Sequence, residues 1–566
     1  MNMQGGRSRR RIAPVTLTGA RPASTADALE EIRPASREET FPVALAAVVL
    51  AFISLLVCTA RGYMLLYGDA VAHLGIARRI LDSRNPGLSQ LGGVWLPLPH
   101  LLILPFVQKM EWWQNGLAGA WPSLLCYIVG VVGLYRLARR MMTPRWAFVA
   151  TAFYALNPNL LYLATTAMTE PLFLAELIWI TLLTMECVDA IRAGLRALVA
   201  RRLIFIALFI VAAVFTRYDG WILGAVVWCM LAWELRRNSK VLRSVAPAFL
   251  VFTILIVAGP LIWLAYNQHF FHDPLDFMRG PYSAAAIEKK TTVPGSQHYR
   301  GWHNPVLAFF YYTRAAQLDM AAWELGFGVM AAALGGLFLA VRRRVALSAS
   351  LLWLPLPFYI YSIAYGSVPI FIPPLWPHSY YNSRYGMEML PALAVFSCFA
   401  AAWLHHRWSR SEPLKARLLH PIVLALIALN VVVMMYKVPL VLKEAIVNST
   451  TRVAFEAALA RELKSLPSGV PILMYNSDHV GALQQAGIPL RQTLNEGDRD
   501  SFQAALARPA ESAAYVVAIA GDQVAKAVAE HPEGLTELTV LCTTGQPCAR
   551  TYHSDRYASS SATPQH

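Results

Sequence analysis

Apolar runs long enough to cross a lipid bilayer constrain the fold of this sequence more than any other feature. A helix needs about 20 residues to cross roughly 30 Å of hydrocarbon. The runs that approach this length are 42–60, 116–135, 146–164, 169–188, 203–216, 220–235, 245–266, 320–341, 345–366, 386–404 and 420–438. They predict an α-helical polytopic membrane protein with about 11 transmembrane helices.

The composition excludes the other common classes of protein. Charged residues make up only 15% of the 566 residues, and the mean hydropathy is +0.43. An ordinary soluble domain carries roughly 25% charged residues, so a water-soluble globule is excluded. The 33 glycines, 35 prolines and 7 cysteines are too few for a collagen-like, disordered or disulfide-dense chain of this length.

The positions of the basic residues predict how the chain crosses the membrane. The net charge of +15 does not indicate a nucleic-acid partner, because the basic residues lie mostly in short connectors between apolar runs. With eleven spans, these connectors and the basic N-terminus fall on one side, which the positive-inside rule makes the cytoplasm. The connectors hold Arg136, Arg139, Arg140, Arg145; Arg192, Arg196, Arg201, Arg202; Arg236, Arg237, Lys240, Arg243; Arg342 to Arg344; and Arg407, Arg410, Lys415, Arg417. We therefore predict a multi-pass protein of the plasma (inner) membrane.

This topology divides the chain into three regions. Residues 1–40, with a cluster of arginines and no apolar core, are predicted to be a disordered basic cytoplasmic tail. Residues 41–440 form the transmembrane domain, and residues 441–566 form a small extracytoplasmic α/β domain. The outer face is predicted to carry the loops 62–115, 268–318 and 367–384.

The C-terminal region combines short apolar runs with helical patterns. The predicted strands are Ile472–Tyr475, Tyr515–Ile519 and Thr539–Cys542, and the predicted helices are 452–465, 479–486 and 501–508. The region has no glycine-rich phosphate loop, so we assign it no chemistry. Cys542 and Cys548 are able to pair in an oxidising compartment, although their spacing permits a disulfide without requiring one.

One apolar run is too short for a span. The run from Val94 to Val107 has about 14 residues and contains three prolines and His100. Counting it as a span would also move the next basic connector to the outer side. We interpret it as a re-entrant or interfacial piece of the outer face, with a full span as the alternative.

Ionisable residues gather at the outer ends of the predicted spans. Such groups are costly in lipid unless they are paired or face a wet cavity. The residues are Asp69, His73, Glu170, Arg217, Asp219, Asp319, Glu324, His378, Arg384 and Glu388. They predict one polar cavity that opens outward at the depth of the membrane interface.

Several of these side chains also have a purely structural interpretation. Asp69 is a good N-cap for the helix that follows it, and His73 could be a hydrogen-bonded structural histidine. Glu170 lies where an acid favours the start of a helix. Arg217 and Asp219 could simply pair across a tight turn.

Two further features stay open at this point. Tyr380, Tyr381 and Tyr385 are compatible with an ordinary aromatic belt at the membrane interface. Glu176 lies well inside its span, and a carboxyl group there is a functional candidate by default. A neutral, hydrogen-bonded acid would satisfy the physics of that position equally well.

The loop after the first span is long and has a defined pattern. An amphipathic helix after Gly68 would lie along the membrane surface. The segment that follows, with Trp95, two prolines and His100, would close over the mouth of the bundle. Ordering such a loop is costly, and a site that needs a roof over a lipid-borne substrate would justify it.

Three short motifs resemble one known family, the multispanning GT-C glycosyltransferases. The matching residues are Gly68-Asp69 with the helix to Arg79, Thr169-Glu170-Pro171-Leu172-Phe173, and Ser383-Arg384-Tyr385 with Leu390-Pro391. The sequence looks closest to the branch that contains the dolichyl-phosphate-mannose protein mannosyltransferases and bacterial relatives that use polyprenyl-phosphate sugars. The resemblance covers roughly residues 42–440.

The resemblance implies a catalytic role for the acid of the first outer loop, here Asp69. Many members of the family have a second acid directly after it, whereas this chain has Ala70, with His73 one turn on. Oligosaccharyltransferases of the same superfamily use a divalent metal. No acid-rich pair in this sequence indicates one, so we assign no metal ligand and no certain cofactor.

The implied reaction moves a sugar from a polyprenyl-phosphate donor to a hydroxyl acceptor, which could be a glycan, a lipid or a protein. Such a reaction needs a base for the acceptor hydroxyl and cations for the departing phosphate. The hypothesis makes Asp69 the base and gives the phosphate to Arg217 and Arg384, because guanidinium groups suit phosphate oxygens. The other expected substrate-binding residues are Glu170, Asp219 and His378, which would position sugar hydroxyls or arginines, Trp95 and His100, which would line the acceptor side, and His73.

The alternative function is a transporter or flippase of a lipid-linked or polar solute. That class predicts charges deep within several helices and broken helices in two related halves. Here mainly Glu176 lies deep in a span, and no internal repeat is evident. The sequence therefore favours the enzyme.

Overall fold

The computed structural model describes residues 34–291 and 298–557. The arginine cluster predicted within the N-terminal tail lies outside the described residues. The first helix begins at Arg37, so the predicted boundary at residue 40 is too late. The reason is a capping box, in which Ser36 and Glu39 satisfy each other's backbone N–H groups.

The described part up to residue 465 is almost entirely helical. Its α-helices are α1 (Arg37–Arg61), α2 (Gly68–Arg79), α3 (Leu98–Val107), α4 (Met110–Asn115), α5 (Leu117–Ala138), α6 (Pro144–Ala155), α7 (Pro158–Leu163), α8 (Glu170–Arg192), α9 (Arg196–Thr216), α10 (Asp219–Arg237), α11 (Ser239–Phe271), α12 (Asp276–Arg279), α13 (Ala284–Thr291), α14 (Pro305–Met320), α15 (Leu325–Arg343), α16 (Pro355–Tyr365), α17 (Leu390–Ser411), α18 (Pro413–Tyr436) and α19 (Leu440–Ser465). Short 3₁₀ turns cover Leu88–Leu91, Leu347–Trp353 and Ser383–Met389.

Within the described ranges, nine helices are long and apolar enough to cross a membrane. The prediction of a polytopic helical membrane protein is confirmed, but the expected span 146–164 is wrong. Asn157 ends the first part of that run and caps α7 by accepting bonds from the backbone of Asn159 and Leu160. Pro158 then occupies the first helical position, so the run is divided into helices of 12 and 6 residues.

Contacts bring the basic connectors together at one end of the bundle, which we call the basic end. Arg140 pairs with Asp189, which links the end of α5 to the end of α8. Arg192 pairs with Glu234 near the end of α10. Trp146 at the start of α6 lies 5.8 Å from the ring of His405 near the end of α17. Glu170, Asp219 and Arg384 lie at the opposite ends of α8, α10 and α17.

The stretch 268–318, predicted as a loop, is largely helical. Helix α11 has 33 residues and continues to Phe271. A second helix, α14, occupies Pro305–Met320, because the Asn304 side chain accepts from Leu307 N and Pro305 fits the first helical position. The chain then turns before α15 begins at Leu325, five residues later than the predicted span.

Helix α3 corresponds to the short apolar run of the first loop. It has ten residues, which extend about 15 Å and are too short to cross the hydrocarbon. It packs against α2 and α5. The geometry therefore favours the re-entrant or interfacial interpretation over a full span.

The C-terminal region is a small α/β domain joined to the last span by α19. Its sheet has the order β2-β1-β3-β5-β4, with β1 parallel to β2 and β3 and the remaining pairs antiparallel. Cys542 and Cys548 form a disulfide. The strands and helices are β1 (Ile472–Met474), α20 (Val480–Ala486), β2 (Thr493–Leu494), α21 (Asp500–Ala507), α22 (Pro509–Ser512), β3 (Tyr515–Ile519), α23 (Gln523–Glu530), β4 (Leu535–Leu541) and β5 (Ala549–Ser554).

This domain packs directly on the loop that follows α1. The Gln484 side chain donates a hydrogen bond to the carbonyl of Trp113, and Arg491 lies 3.0 Å from Asp82. A Cβ on Gly75 would lie 3.3 Å from the side chain of Val480, so α2 and the domain are in close contact. We call this end of the bundle the domain end.

Candidate active site

Four elements converge at the domain end and place their polar residues in one cluster. Asp69 is the second residue of α2, Glu170 the first of α8 and Asp219 the first of α10. Arg384 lies on the 3₁₀ turn that precedes α17. Acids are favourable in the first turn of a helix, so the local sequence places each carboxylate where its helix begins. The polar site forms where the N-termini of these helices meet.

Arg384 is the first of two guanidinium groups at the centre of the cluster. It is 5% exposed and bonds three carboxylates from different elements. Its Nη2 lies 2.5 Å from Asp69 Oδ2, its Nε lies 3.1 Å from Glu170 Oε1, and its Nη1 lies 3.7 Å from Glu444 Oε1. The guanidinium also lies over the ring of Tyr385 at 4.9 Å.

Arg217, just after α9, is the second guanidinium. Its Nη2 lies 3.0 Å from Glu388 Oε1, its Nε 3.5 Å from Asp219 Oδ2, and its Nη1 3.7 Å from Glu170 Oε1. It donates a further bond to the hydroxyl of Tyr359, which in turn donates to Glu388 at 2.6 Å. Glu170 therefore bridges the two arginines.

Acid exceeds base in this carboxylate–arginine cluster, which comprises Asp69, Glu170, Arg217, Asp219, Arg384, Glu388 and Glu444. Five carboxylates share two guanidinium groups. Within the described residues, Glu170 Oε2, Glu388 Oε2 and both oxygens of Asp219 have no hydrogen-bond partner. Buried carboxylate oxygens without a hydrogen bond are costly, so this arrangement is suited to a ligand that supplies hydrogen-bond donors.

Asp69 is the member of the cluster that solvent reaches. Its side chain is 41% exposed, compared with 1% for Glu170 and 0% for Glu388. The N-cap position of α2 is Tyr67, and no side-chain hydrogen bond caps that helix. The interpretation of Asp69 as a simple N-cap is therefore wrong, and its carboxylate pairs with Arg384 while remaining open to solvent.

The segment over the cluster contains a stack of three rings. His73 Nδ1 lies 2.9 Å from His100 Nε2, and the ring centroids of His73 and Trp95 are 4.3 Å apart. Burial lowers the pKa of His73 to about 3, and the charges of Arg384 and Arg217 lower it in the same direction. His73 is therefore neutral at physiological pH and contributes a hydrogen-bonding ring rather than a charge.

His378 is not part of the cluster. It is exposed, has a backbone φ of 60°, and its Nδ1 lies 2.8 Å from the carbonyl of Pro373. Its expected role in positioning the substrate or the arginines therefore lacks support. The turn from Leu375 to His378 precedes the separate 3₁₀ segment Ser383–Met389 that carries Arg384.

From the sequence we assigned no role to two carboxylates of the cluster, Glu388 and Glu444. Glu388 lies four residues after Arg384 on the same 3₁₀ segment, and this short spacing on the approach to α17 was a usable signal. Glu444 gave no such signal, because it follows the last span in a stretch assigned to the C-terminal domain. It accepts bonds from Asn382 N, Ser383 N and the hydroxyl of Ser383.

Close packing holds the Arg384 turn in place. A Cβ on Gly386 would lie 2.6 Å from the backbone nitrogen of Ala316 and from Asp319 Oδ2. Only glycine fits this approach of the turn to α14. Asp319 is 1% exposed and belongs to the wall behind the cluster rather than to its open side.

Glu176 lies two turns deeper in α8 than the cluster. The hydroxyl of Thr216 lies 2.9 Å from its Oε1, and the residue is 3% exposed. This geometry matches the hydrogen-bonded structural acid that the sequence left as one of two interpretations. Over the described ranges, no group of three or more His, Cys, Asp or Glu residues is arranged to hold a metal ion.

Two comparisons relate this fold and this site to known proteins. Residues 105–263 match the family model described as dolichyl-phosphate-mannose-protein mannosyltransferase. The structure is also similar to the crystal structure of ArnT from Cupriavidus metallidurans bound to undecaprenyl phosphate, with a TM-score of 0.55 and 14% sequence identity. That match covers 94% of this chain and 100% of the ArnT chain. No curated protein matches the sequence significantly.

The resemblance to the GT-C glycosyltransferases is thereby confirmed at the level of the fold. The family model includes the Thr169-Glu170-Pro171 motif and Arg217, two of the features that the sequence singled out. It does not include Asp69 or Arg384. The structural match is what extends the similarity across nearly the whole chain.

Proposed function

We propose that this chain is a membrane glycosyltransferase that moves a sugar from a polyprenyl-phosphate donor to a hydroxyl acceptor. The family named by the matching model uses dolichyl-phosphate-mannose, and ArnT binds undecaprenyl phosphate. The observation that carries the proposal is the solvent-reaching Asp69 carboxylate held against the buried guanidinium of Arg384. A base beside a phosphate-binding group is the pair that this reaction needs.

Asp69 acts as the general base in this proposal. The acceptor oxygen attacks the anomeric carbon, the bond from that carbon to the phosphate oxygen breaks, and the hydroxyl proton moves to Asp69. The electron pair of the broken bond leaves with the polyprenyl phosphate. General-base assistance of this kind contributes about 10²–10⁴-fold to a rate.

Arg384 and Arg217 bind the phosphate by exchanging partners. Each guanidinium is occupied by carboxylates in the structure, so a phosphate must replace at least one of them. Asp69 is the most exposed of these carboxylates and is the one that a phosphate on Arg384 would displace. The exchange frees the Asp69 carboxylate from its positive partner, so that it can accept the proton of the acceptor hydroxyl once the donor has bound.

The remaining residues of the site orient these groups. Glu170 and Asp219 hold the arginines in position, and His73, Trp95 and His100 form the roof on the acceptor side. The acceptor is a glycan, a lipid or a protein, and the transferred group is a hexose or a pentose. His378 is left out of the site because its contacts lie elsewhere.

The orientation follows from the grouping of the basic connectors. The positive-inside rule assigns the basic end to the cytoplasm. The N-terminus is then cytoplasmic, and the C-terminal domain and the Asp69 site lie on the outer face of the inner membrane.

The direct test is sugar transfer by purified Asp69→Asn protein from a polyprenyl-phosphate sugar. We expect the rate to fall about 10²–10⁴-fold, while the control Glu111→Gln, at an exposed acid that pairs with Lys109, keeps the wild-type rate. Transfer at the wild-type rate by Asp69→Asn would remove Asp69 from the mechanism. Solute uptake into proteoliposomes without a covalent product would favour a transporter instead.

A further inference from the structure

A second cavity lies on the far side of α14 from the carboxylate–arginine cluster. It has a volume of about 450 Å³ and lies between α14, the first turns of α15 and the Leu375–Trp376 segment. Its lining is mostly apolar, with Leu307, Phe310, Phe327 and Met330 as the main surfaces. Nothing in the proposed reaction uses this space.

Helix α14 separates the two sites. Leu307, Phe310 and Arg314 are spaced three and four residues apart, so they share the face that lines the cavity. Tyr312 and Asp319 lie on the buried opposite face, and the ring of Tyr312 stacks 4.8 Å from that of Tyr359 in the cluster wall. A phosphate held in the cavity therefore has a whole helix between itself and Asp69.

Two arginines border the cavity without acidic partners. The Arg314 guanidinium lies 4.6 Å from the ring centroid of Phe327 and donates to the Gln317 side chain. Arg300 lies 5.5 Å from the ring centroid of Trp376. Among residues 34–291 and 298–557, neither guanidinium is paired with a carboxylate, in contrast to Arg217 and Arg384. Guanidinium groups in this state are suited to phosphate oxygens.

The apolar rim of the cavity faces the surroundings of the bundle. Phe310 is 55% exposed and Phe327 is 48% exposed, and Val306 beside them is 63% exposed. Exposed apolar side chains of this kind are suited to contact with lipid chains. The cavity thus combines an open apolar slot with two arginines at its border that have no carboxylate partner among the described residues.

We propose that this cavity binds a glycerophospholipid of the surrounding leaflet. Its phosphate lies between Arg300 and Arg314, and one acyl chain packs against Leu307, Phe310 and Met330. The polyprenyl-phosphate donor is a poorer occupant, because α14 would separate its sugar from Asp69. Two cations without acids favour an anionic headgroup, and we expect phosphatidylglycerol to bind about tenfold more tightly than phosphatidylcholine.

Native mass spectrometry of the purified full-length protein tests the proposal, with phosphatidylglycerol and phosphatidylcholine as probes. We expect Arg300→Ala/Arg314→Ala to lose the preference for phosphatidylglycerol. The control Arg236→Ala/Arg237→Ala removes two exposed arginines from the basic end and should keep it. Equal phosphatidylglycerol binding by wild type and Arg300→Ala/Arg314→Ala would overturn the proposal, and so would an equal loss in both double variants.

A second variant tests whether an acyl chain occupies the apolar part of the cavity. Met330→Trp fills the cavity while both arginines remain, and we expect it to bind at least fivefold less phosphatidylglycerol. Unchanged binding by this variant would show that no chain enters the cavity. In a competition arm, displacement of phosphatidylglycerol by undecaprenyl phosphate that depends on Arg300 and Arg314 would overturn the choice of occupant.

Discussion

Arg384 ties three helices of the molecule together through its side chain. It joins α2, α8 and α19 through Asp69, Glu170 and Glu444. Removal of its charge would leave the buried Glu444 without its cation and Glu170 with Arg217 alone, and breaking a buried ion pair costs about 3–5 kcal/mol. Arg384 therefore both stabilises the fold and is proposed to bind phosphate. A variant that tests phosphate binding alone must keep the positive charge.

Arg384→Lys separates these two roles. A lysine keeps the positive charge but offers a point charge in place of a planar fork, so it cannot bond three carboxylates or a phosphate in the same way. We expect a folded protein whose affinity for a polyprenyl-phosphate donor falls about tenfold or more. Donor affinity and melting temperature measured on the same preparations check this, and unchanged donor affinity would contradict the assignment.

The buried state of His73 predicts a dependence of stability on pH. Its pKa is about 3 in the folded chain, compared with 6.5 for an ordinary histidine in an unfolded chain. Between these values the unfolded chain binds a proton that the folded chain does not, so the free energy of unfolding decreases as pH falls. The slope is at most about 1.4 kcal/mol per pH unit, and the contribution is complete above pH 6.5.

Melting temperatures between about pH 7.5 and about pH 5 test this effect. The wild type should lose stability across this range, whereas His73→Gln should show a flatter profile. His378→Gln, at an exposed histidine, is the matched control and should follow the wild type. Parallel profiles for wild type and His73→Gln would contradict the account of His73.

At the scale of elements, α19 holds both halves of the Asp69–Arg384 pair. Glu444 near its start accepts the backbone N–H groups of Asn382 and Ser383, which fixes the turn that carries Arg384. Two turns later, Arg452 donates to the carbonyls of Leu65 and Leu66, just before α2. The helix that leads to the C-terminal domain therefore also positions the proposed base and its partner.

This arrangement predicts that Glu444→Gln and Arg452→Ala slow transfer although neither residue touches the substrate. Misplacement by about 1 Å can cost 10²-fold, so we expect losses of about 10- to 100-fold in kcat. The KM for the donor should change much less. Arg461→Ala, at an exposed position on the same helix, is the control. A wild-type kcat for both variants would show that α19 does not position the site.

The sequence predicted those helices and strands whose position is determined by neighbouring residues. The apolar runs, the helix starts at Asp69, Glu170 and Asp219, and strand β3 all depend on neighbouring residues, and the structure contains them. Local residues also signalled the break at Asn157, but the long apolar run around it led us to predict one continuous span. Local residues likewise signalled the helix that begins at Pro305, but we predicted a loop there. Glu444 was out of reach, because its contact with Arg384 joins residues 60 positions apart.

At the scale of the whole molecule, the two ends of the bundle have opposite chemistry. The basic connectors meet at one end, and the cluster, its roof and the C-terminal domain meet at the other. The sequence predicted this separation from the alternation of charge between spans. It could not predict which acids meet which arginines, since that depends on how helices pack across the bundle.

Thiol labelling from either side of the membrane tests the proposed orientation. Cysteines introduced at Glu111, at the domain end, and at Arg237, at the basic end, replace exposed side chains. We expect a membrane-impermeant reagent added outside to label the first and not the second. Labelling of both positions from the same side would contradict the proposed topology.

In the proposed mechanism, a polyprenyl phosphate binds at Arg384 and displaces Asp69. A high-resolution structure of the protein with undecaprenyl phosphate bound measures this directly. We expect phosphate oxygens within hydrogen-bond distance of Arg384 or Arg217 and an Asp69 carboxylate that has left Arg384 and faces open space. Phosphate bound elsewhere, with the Asp69–Arg384 pair intact, would contradict it.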